Sequence, residues 1–385
     1  ACKDVRWVEA MQKELKALQD NHTWDLVPLP KGKKAIGCRW VFKIKLKADG
    51  SVERFKARLV AKGYNQQWGV DYQETFSPVI KMTTVRCLLA LAAHKHWKLH
   101  QLDINNAFLH GDLFEEVYMM APEGYDNPHN FVCQLVKSLY GLKQASRQWN
   151  AKLQAELQLR GYTQSKNDYS LFIKRNSSHT TIIAVYVDDI ILTGDDETEI
   201  QLIKDHLHAT FSIKDLGQLS FFLGIEIGYL DSGISMSQKK FTKELLKEAK
   251  IEIGSHKSVV TPLPINLKLT AEEGEVFSDP TIYRSLVGKL NFLTHTRPDL
   301  SYTVQHLSQF LQSPKVSHYQ ALLHTLNYVA STAGQGIILN AEDKLTLQAF
   351  TDSDWGACQD TRRSVSGYIM LLGKSPISWK SKKQG

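Results

Sequence analysis

The run Ile182-Ile183-Ala184-Val185-Tyr186-Val187-Asp188-Asp189-Ile190-Ile191-Leu192-Thr193 constrains the fold more than any other segment. Two adjacent carboxylates interrupt a stretch that is otherwise apolar and strand-forming. Burying two like charges side by side costs several kcal/mol unless a cation neutralises them. A tight turn that presents both to a divalent metal removes that cost. The alternative is a polar hairpin tip with Asp as turn former. Such tips more often carry Asn-Gly or Asp-Gly, and here the flanks lack Gly and Pro. Either way the segment predicts strands over 180–187 and 190–193.

A second carboxylate has the same character. Leu99-His100-Gln101-Leu102-Asp103-Ile104 ends a short strand with an aspartate, and Ala107-Phe108-Leu109-His110-Gly111 follows. A metal pair needs carboxylates from more than one element to bridge two cations about 4 Å apart. Mg²⁺ prefers hard oxygen ligands and completes its shell with water and substrate phosphates. Asp103, Asp188 and Asp189 together suit two-metal phosphoryl transfer.

The 385 residues suggest two or three domains, and 43% apolar with 23% charged residues is ordinary for a globular protein. No run of eighteen or more apolar residues is long enough to span a membrane, and no secretory signal opens the chain. The missing initiator Met and the stop after a Lys-rich stretch read as cuts in a longer polypeptide. Cys2, Cys38, Cys87, Cys133 and Cys358 are scattered without a CxxC pair, so neither a zinc site nor a disulfide frame is expected and an intracellular compartment fits. The pairs His94-His96 and His206-His208 read as polar residues on helix faces rather than metal ligands.

Net charge is +7 and is unevenly spread. Residues 31–62 hold eleven Lys and Arg, among them Lys43, Lys45, Lys56 and Arg58, against only Asp49 and Glu53. Such a patch either attracts a polyanion by counterion release or is a solvated surface. Trp40, Phe42 and Phe55 interleave with the cations, which predicts a strand pair with one basic face.

Helical spacing over 4–19, 83–93, 145–160 and 197–211 predicts amphipathic or buried helices. Strands are expected at 38–47 and 51–62 with a turn at 48–51, at 98–104, and at 171–175 before a turn at 176–179. A helix-like piece is expected at 105–113. A hairpin over 221–236 precedes a mostly helical stretch from Gln238 to about Ala333. Strands resume at 336–339, 345–351, 365–372 and 375–379, a switch that signals a domain boundary.

The ordered motifs carry a resemblance. QLDINNAFLHG around Asp103, SLYGLKQASRQW from Ser138 to Trp149, and the YVDD run resemble motifs A, B and C of copia-type LTR retrotransposon reverse transcriptases. KARLVAKGYNQ (56–66), ETFSPV (74–79), KDLG (214–217), FLGIEI (222–227) and YRSLVGKLNFL (283–293) are similar to that family in order and spacing, so the match covers nearly the whole chain.

The resemblance implies an α+β right-hand polymerase. Fingers and palm would fall in 1–237 and a helical thumb or connection in 238–335. A truncated ribonuclease H-like α/β start would occupy 336–385. It implies RNA-directed DNA polymerase activity, with Asp103, Asp188 and Asp189 holding two Mg²⁺ ions, for which Mn²⁺ can substitute. Phe108 would stand beneath the sugar and select dNTPs, although a core aromatic is the plain alternative. Tyr140 and Gly141 would line the nucleotide pocket. Lys43, Lys45, Lys56 and Arg58 are candidates to grip triphosphate and template. Lys214 would protonate leaving pyrophosphate, or is simply solvated. Tyr186, Phe222, Leu223 and Gly224 would meet the primer. Partners would be an RNA template, a DNA primer, their hybrid and dNTPs, with no membrane and the oligomeric state open. The implied setting is cytoplasmic, in virus-like particles if the element is active. Ser146 and Asn105 depart from the usual Pro and Lys without removing a metal ligand. Asp352 matches the first catalytic aspartate of ribonuclease H, but later carboxylates are missing, so hybrid cleavage is not expected.

Overall fold

The computed structural model describes residues 4–46, 51–127, 129–176, 178–254, 259–341 and 344–385. The turns expected around Asp49-Gly50 and at Ser177 lie outside the described residues. Helix α1 (Val5–Asp20) and strand β1 (Trp24–Val27) precede β2 (Cys38–Leu46) and β3 (Val52–Ala61). Helix α2 (Met82–Lys95) leads to β4 (Lys98–Ile104), β5 (Asp112–Met120), β6 (Val132–Lys137) and α3 (Ala145–Leu159). Next come β7 (Thr163–Gln164), β8 (Leu171–Arg175), β9 (Thr180–Tyr186), β10 (Asp189–Gly194), α4 (Glu197–Phe211) and β11 (Ile213–Gln218). A hairpin region holds β12 (Phe221–Phe222), β13 (Ile225–Leu230) and β14 (Gly233–Ser237). Helices α5 (Lys239–Glu248), α6 (Pro280–Leu293), α7 (Ser301–Ser308) and α8 (Val316–Ser331) follow. The chain ends in β15 (Gly336–Asn340), β16 (Leu347–Ser353), β17 (Val365–Leu372) and β18 (Ser375–Lys383).

The elements form two compact units, one of Ala1–Ile80 with His100–Gly217, the other of Lys81–Leu99 with Gln218–Gly385. In the first, a six-stranded sheet runs in the order β11-β4-β10-β9-β8-β7. β9 and β10 lie at the middle of the sheet, are buried over most of their length, and pair antiparallel. Trp149, Leu153 and Leu157 of α3 and Ile200, Ile203 and Leu207 of α4 close a core over one face. The β2–β3 hairpin rests on α1 through Trp7, Ala10 and Met11.

Residues 105–113 are not a helix. Asn106 is left-handed at φ 51, and only a 3₁₀ turn, Ala107–His110, follows before β5 begins. The apolar spacing there serves two cores at once, since Ala107 packs in the sheet core and Leu109 against β5 and β6. β1, which pairs with β6, and β11 at the sheet edge were not anticipated.

In the second unit Tyr283, Leu290, Leu322 and Leu326 centre a helical core built from α5 to α8. β15, expected to open the C-terminal segment, instead pairs with β14 from Gly336↔Ser237 to Gly233↔Asn340. The last three strands form a separate antiparallel sheet, β16-β17-β18.

Leu153 is fully buried in the core beneath the six-stranded sheet. Leu153→Ala should lower unfolding free energy by about 2–5 kcal/mol, read from urea unfolding. A loss under about 1 kcal/mol would mean that this core collapses around the cavity.

Candidate active site

Side-chain alternation divides β4, β9 and β10 into two faces. Leu102, Ile104, Ile183, Val185, Ile190 and Leu192 join the core beneath α3 and α4. Gln101, Asp103, Tyr186 and Asp189 therefore stand on the opposite face. Asp189 pairs with Tyr186, which leaves Val187 and Asp188 as a two-residue turn. The Ile104 N–H donates to the Asp188 carbonyl at 2.9 Å and ties the end of β4 to that turn. Three carboxylates thus converge from two neighbouring elements.

Their electrostatics follow from that convergence. Burial, then the charges of Asp188 and Asp103, push the Asp189 carboxyl up to about 6, against a hydrogen bond from Gln101. Burial and Asp188 also raise Asp103, while Lys214, Lys56 and Arg58 pull it down. Among the described residues no group of three or more His, Cys, Asp or Glu is gathered as a ready metal-ligand set. The donor chemistry nonetheless fits a hard divalent cation. All three side chains offer oxygen, and their mutual repulsion is what a cation would relieve.

The β2–β3 register sorts the basic hairpin as expected. Lys43↔Lys56, Lys45↔Arg54 and Val41↔Arg58 share one face, while Trp40, Phe42 and Phe55 share the other. The Arg58 guanidinium lies 4.4 Å from the Tyr140 ring centre, and that ring is 4.8 Å from Phe108. Lys56, Arg58, Tyr140 and Phe108 therefore lie near the aspartates. Lys43 and Lys45 sit farther along the hairpin on the same face. Burial and the neighbouring Arg58 and Arg54 hold the Lys56 ammonium below its usual range. Lys214 is exposed on β11, within electrostatic reach of Asp103.

Gly141 is needed for its backbone and its contacts. It sits at φ 93, and a Cβ there would stand 2.2 Å from the Ala61 carbonyl. Gly63 approaches the Gly141 carbonyl just as closely, since a Cβ on it would be 2.0 Å away. Behind this turn the buried Gln66 amide donates to Gln144 Oε1 at 3.1 Å and accepts from the Lys143 N–H at 2.9 Å.

Four supporting residues escaped the sequence reading: Glu14, Gln101, Gln66 and Trp149 as a hydrogen-bond donor. Glu14 is buried on α1, and burial raises its carboxyl pKa against the pull of Arg58 and Lys56. Its signal was an acid inside the apolar stripe of Met11, Leu15 and Leu18. Trp149 Nε1 donates to the Val187 carbonyl at 2.7 Å.

Phe222, Leu223, Gly224 and Asp352 belong to the second unit. Phe222 is buried, and Leu223-Gly224 forms the two-residue turn of β12–β13 with φ 51 and φ 81. Asp352 is exposed on β16.

A family model described as "Reverse transcriptase (RNA-dependent DNA polymerase)" matches residues 21–264. The chain is 47% identical over 388 residues to the retrovirus-related Pol polyprotein from transposon RE1 of Arabidopsis thaliana, covering 100% of this chain and 26% of that protein. It is 39% identical over 391 residues to the corresponding polyprotein from transposon TNT 1-94 of Nicotiana tabacum, covering 98% and 29%. The chain thus spans about a quarter of the length of these curated relatives. A solved foamy viral protease-reverse transcriptase with double-stranded DNA aligns at 12% identity and TM-score 0.48, over 97% of this chain and 55% of that one.

The raised Asp189 pKa has a consequence for stability. The folded protein binds more protons than the unfolded chain between the ordinary 3.8 and about 6. The stability this confers is complete below 3.8 and lost as pH rises through about 6. In chelator-treated protein, Asp189→Asn should raise the urea midpoint at about pH 8 and barely change it near about pH 4. Equal midpoints at the higher pH would show that Asp189 carries no such penalty.

Proposed function

This chain belongs to the reverse transcriptase (RNA-dependent DNA polymerase) family, and on that premise we propose that it is the polymerase part of a copia-type retrotransposon Pol polyprotein. The observation that carries the reading is the placing of Asp103 and Asp189 on the sheet face opposite α3 and α4, with Asp188 in the adjoining turn close enough to raise both their pKa values. The reaction is template-directed. The primer 3′-oxygen bonds to the α-phosphorus of a dNTP, the bond to the β-phosphate bridge breaks, and pyrophosphate leaves.

Asp103, Asp188 and Asp189 would hold two Mg²⁺ ions, or Mn²⁺ in their place, which supply a lowered pKa at the 3′-OH and neutralise triphosphate charge when bound. The carboxylates themselves carry the negative charge that gathers these cations. Lys56 and Arg58 present cations on the same side and would meet the triphosphate. Arg58 is stacked on Tyr140, which limits its rotamers before substrate arrives. Gly141 keeps the pocket wall open where any Cβ would collide with β3. Phe108, half-buried against Tyr140, would block a 2′-OH and favour dNTPs.

In this reading the β2–β3 hairpin belongs to the fingers, the six-stranded sheet to the palm and α5 to α8 to a thumb or connection. RNA template, DNA primer and their hybrid would be held by shape and backbone charge rather than by base readout. The Leu223-Gly224 turn would be a primer contact through its backbone, since the Phe222 ring is in the core.

Primer extension on poly(rA)·oligo(dT) with Mg²⁺ tests the reading. Soluble, folded protein should incorporate dTTP. Outer-shell groups at metal sites contribute about 10–100-fold, so Asp188→Asn should lower incorporation by more than about 100-fold while retaining hybrid binding. No incorporation by the parent would point to a protein that only binds nucleic acid. Phe108→Ala should admit rUTP, read as a fall in the ratio of kcat/KM for dTTP over rUTP. An unchanged ratio would make Phe108 a core residue alone.

A further inference from the structure

We propose that Trp149 is a positioning residue for the carboxylate turn, its indole N–H holding the strained Val187 peptide so that Asp188 and Asp189 stay in register with Asp103. The proposal rests on the polymerase reading of that turn.

The strain is visible in the backbone. Val187 is at φ 56 while Asp188 keeps a negative φ, so Val187 occupies the first central position of a hairpin turn that normally takes Gly. A β-branched side chain is poorly suited to the left-handed region. Such a conformation persists only where surrounding structure over-determines it, and it clusters at functional sites. Left to itself the turn would relax, rotating the peptides on either side of Val187 and carrying both carboxylates with them.

Two hydrogen bonds from other elements oppose that relaxation. Ile104 N–H holds the Asp188 carbonyl at 2.9 Å, and Trp149 Nε1 holds the Val187 carbonyl at 2.7 Å. The first comes from the strand that carries Asp103. The second comes from α3, thirty-eight residues away in sequence. An indole nitrogen can only donate, so this bond cannot invert to suit a rotated peptide.

The Trp149 ring is itself fixed. It is 1% exposed and meets Phe211 edge-on at 5.1 Å, with His110 at 5.9 Å. Its backbone is placed by Gly111. A Cβ on Gly111 would stand 2.7 Å from the Trp149 nitrogen, although its φ of −71 is one any residue adopts. Glycine is required there by close approach alone. A chain of contacts therefore runs from Gly111 through Trp149 and Val187 to the two aspartates.

Trp149→Phe keeps the ring and deletes the donor. Mn²⁺ is the probe, its free fraction read by electron paramagnetic resonance on the full chain. Trp149→Phe should raise the Mn²⁺ dissociation constant by about 10–100-fold. Amide exchange over residues 180–192 should quicken in metal-free protein, and kcat should fall while KM for primer-template holds. Leu153→Ala, a truncation in the same core, should lower stability without moving Mn²⁺ affinity. Val187→Gly relieves the backbone strain, so in that background Trp149→Phe should weaken Mn²⁺ binding less than it does in the parent.

Parent-like Mn²⁺ affinity and exchange in Trp149→Phe would overturn the proposal and leave Trp149 as packing. If Trp149→Phe does not fold, Gly111→Ala replaces it, and a parent-like Mn²⁺ affinity there would be equally fatal. Parent binding of Mn²⁺ that Asp188→Asn leaves unchanged would overturn the polymerase reading, and this proposal with it.

Discussion

Repulsion among three carboxylates, two on one sheet face and one in the adjoining turn, is the constraint around which the first unit is organised. Burial is the main cause of the raised Asp103 and Asp189 pKa values, and the neighbouring carboxylates add to it. The repulsion is opposed by hydrogen bonds on the turn carbonyls from Ile104 and Trp149, by the Gln101 amide on Asp189, and at Asp103 by the cations of Lys56, Arg58 and Lys214. A site built this way is poised to take up positive charge.

The basic hairpin solves the mirror problem. Lys43 faces Lys56 and Lys45 faces Arg54, so like charges oppose each other along one face. Such pairs weaken a two-stranded sheet. The aromatic face packed on α1 compensates, through Trp7 edge-on to Phe42 at 5.0 Å and to Phe55 at 4.6 Å. Buried Glu14 lies beneath the hairpin within electrostatic reach of Arg58 and Lys56, whose pull opposes the rise that burial gives its carboxyl pKa. A positive surface is thus backed by an apolar face and one inward acid.

Much of this was legible from residue order. A continuous apolar, strand-forming run marked β9 and β10, and the carboxylates inside it marked the site, because both signals are local. Interleaved aromatics predicted the two-faced hairpin for the same reason. The failures share a cause as well. Residues 105–113 have helix-like spacing because they feed two separate cores, which no single-element pattern can reveal. Glu14, Gln66 and Trp149 act through partners far along the chain, and only the fold brings donor and acceptor together. β15 was read as the start of the last segment because its partner, β14, lies a hundred residues earlier.

That pairing of β14 with β15 makes the four helices an insertion between two neighbouring strands. Residues 238–335 leave from Ser237 and return at Gly336, which are cross-strand partners, so the segment begins and ends at one place. Closing a loop that long carries only a logarithmic entropic penalty, but it cannot happen until the far strand exists. During synthesis, β12 to β14 must wait with an open edge until β15 emerges, and an open edge invites mispairing. The order of events in making this protein is therefore written into its topology: the helical core has time to form first, and the sheet closes behind it.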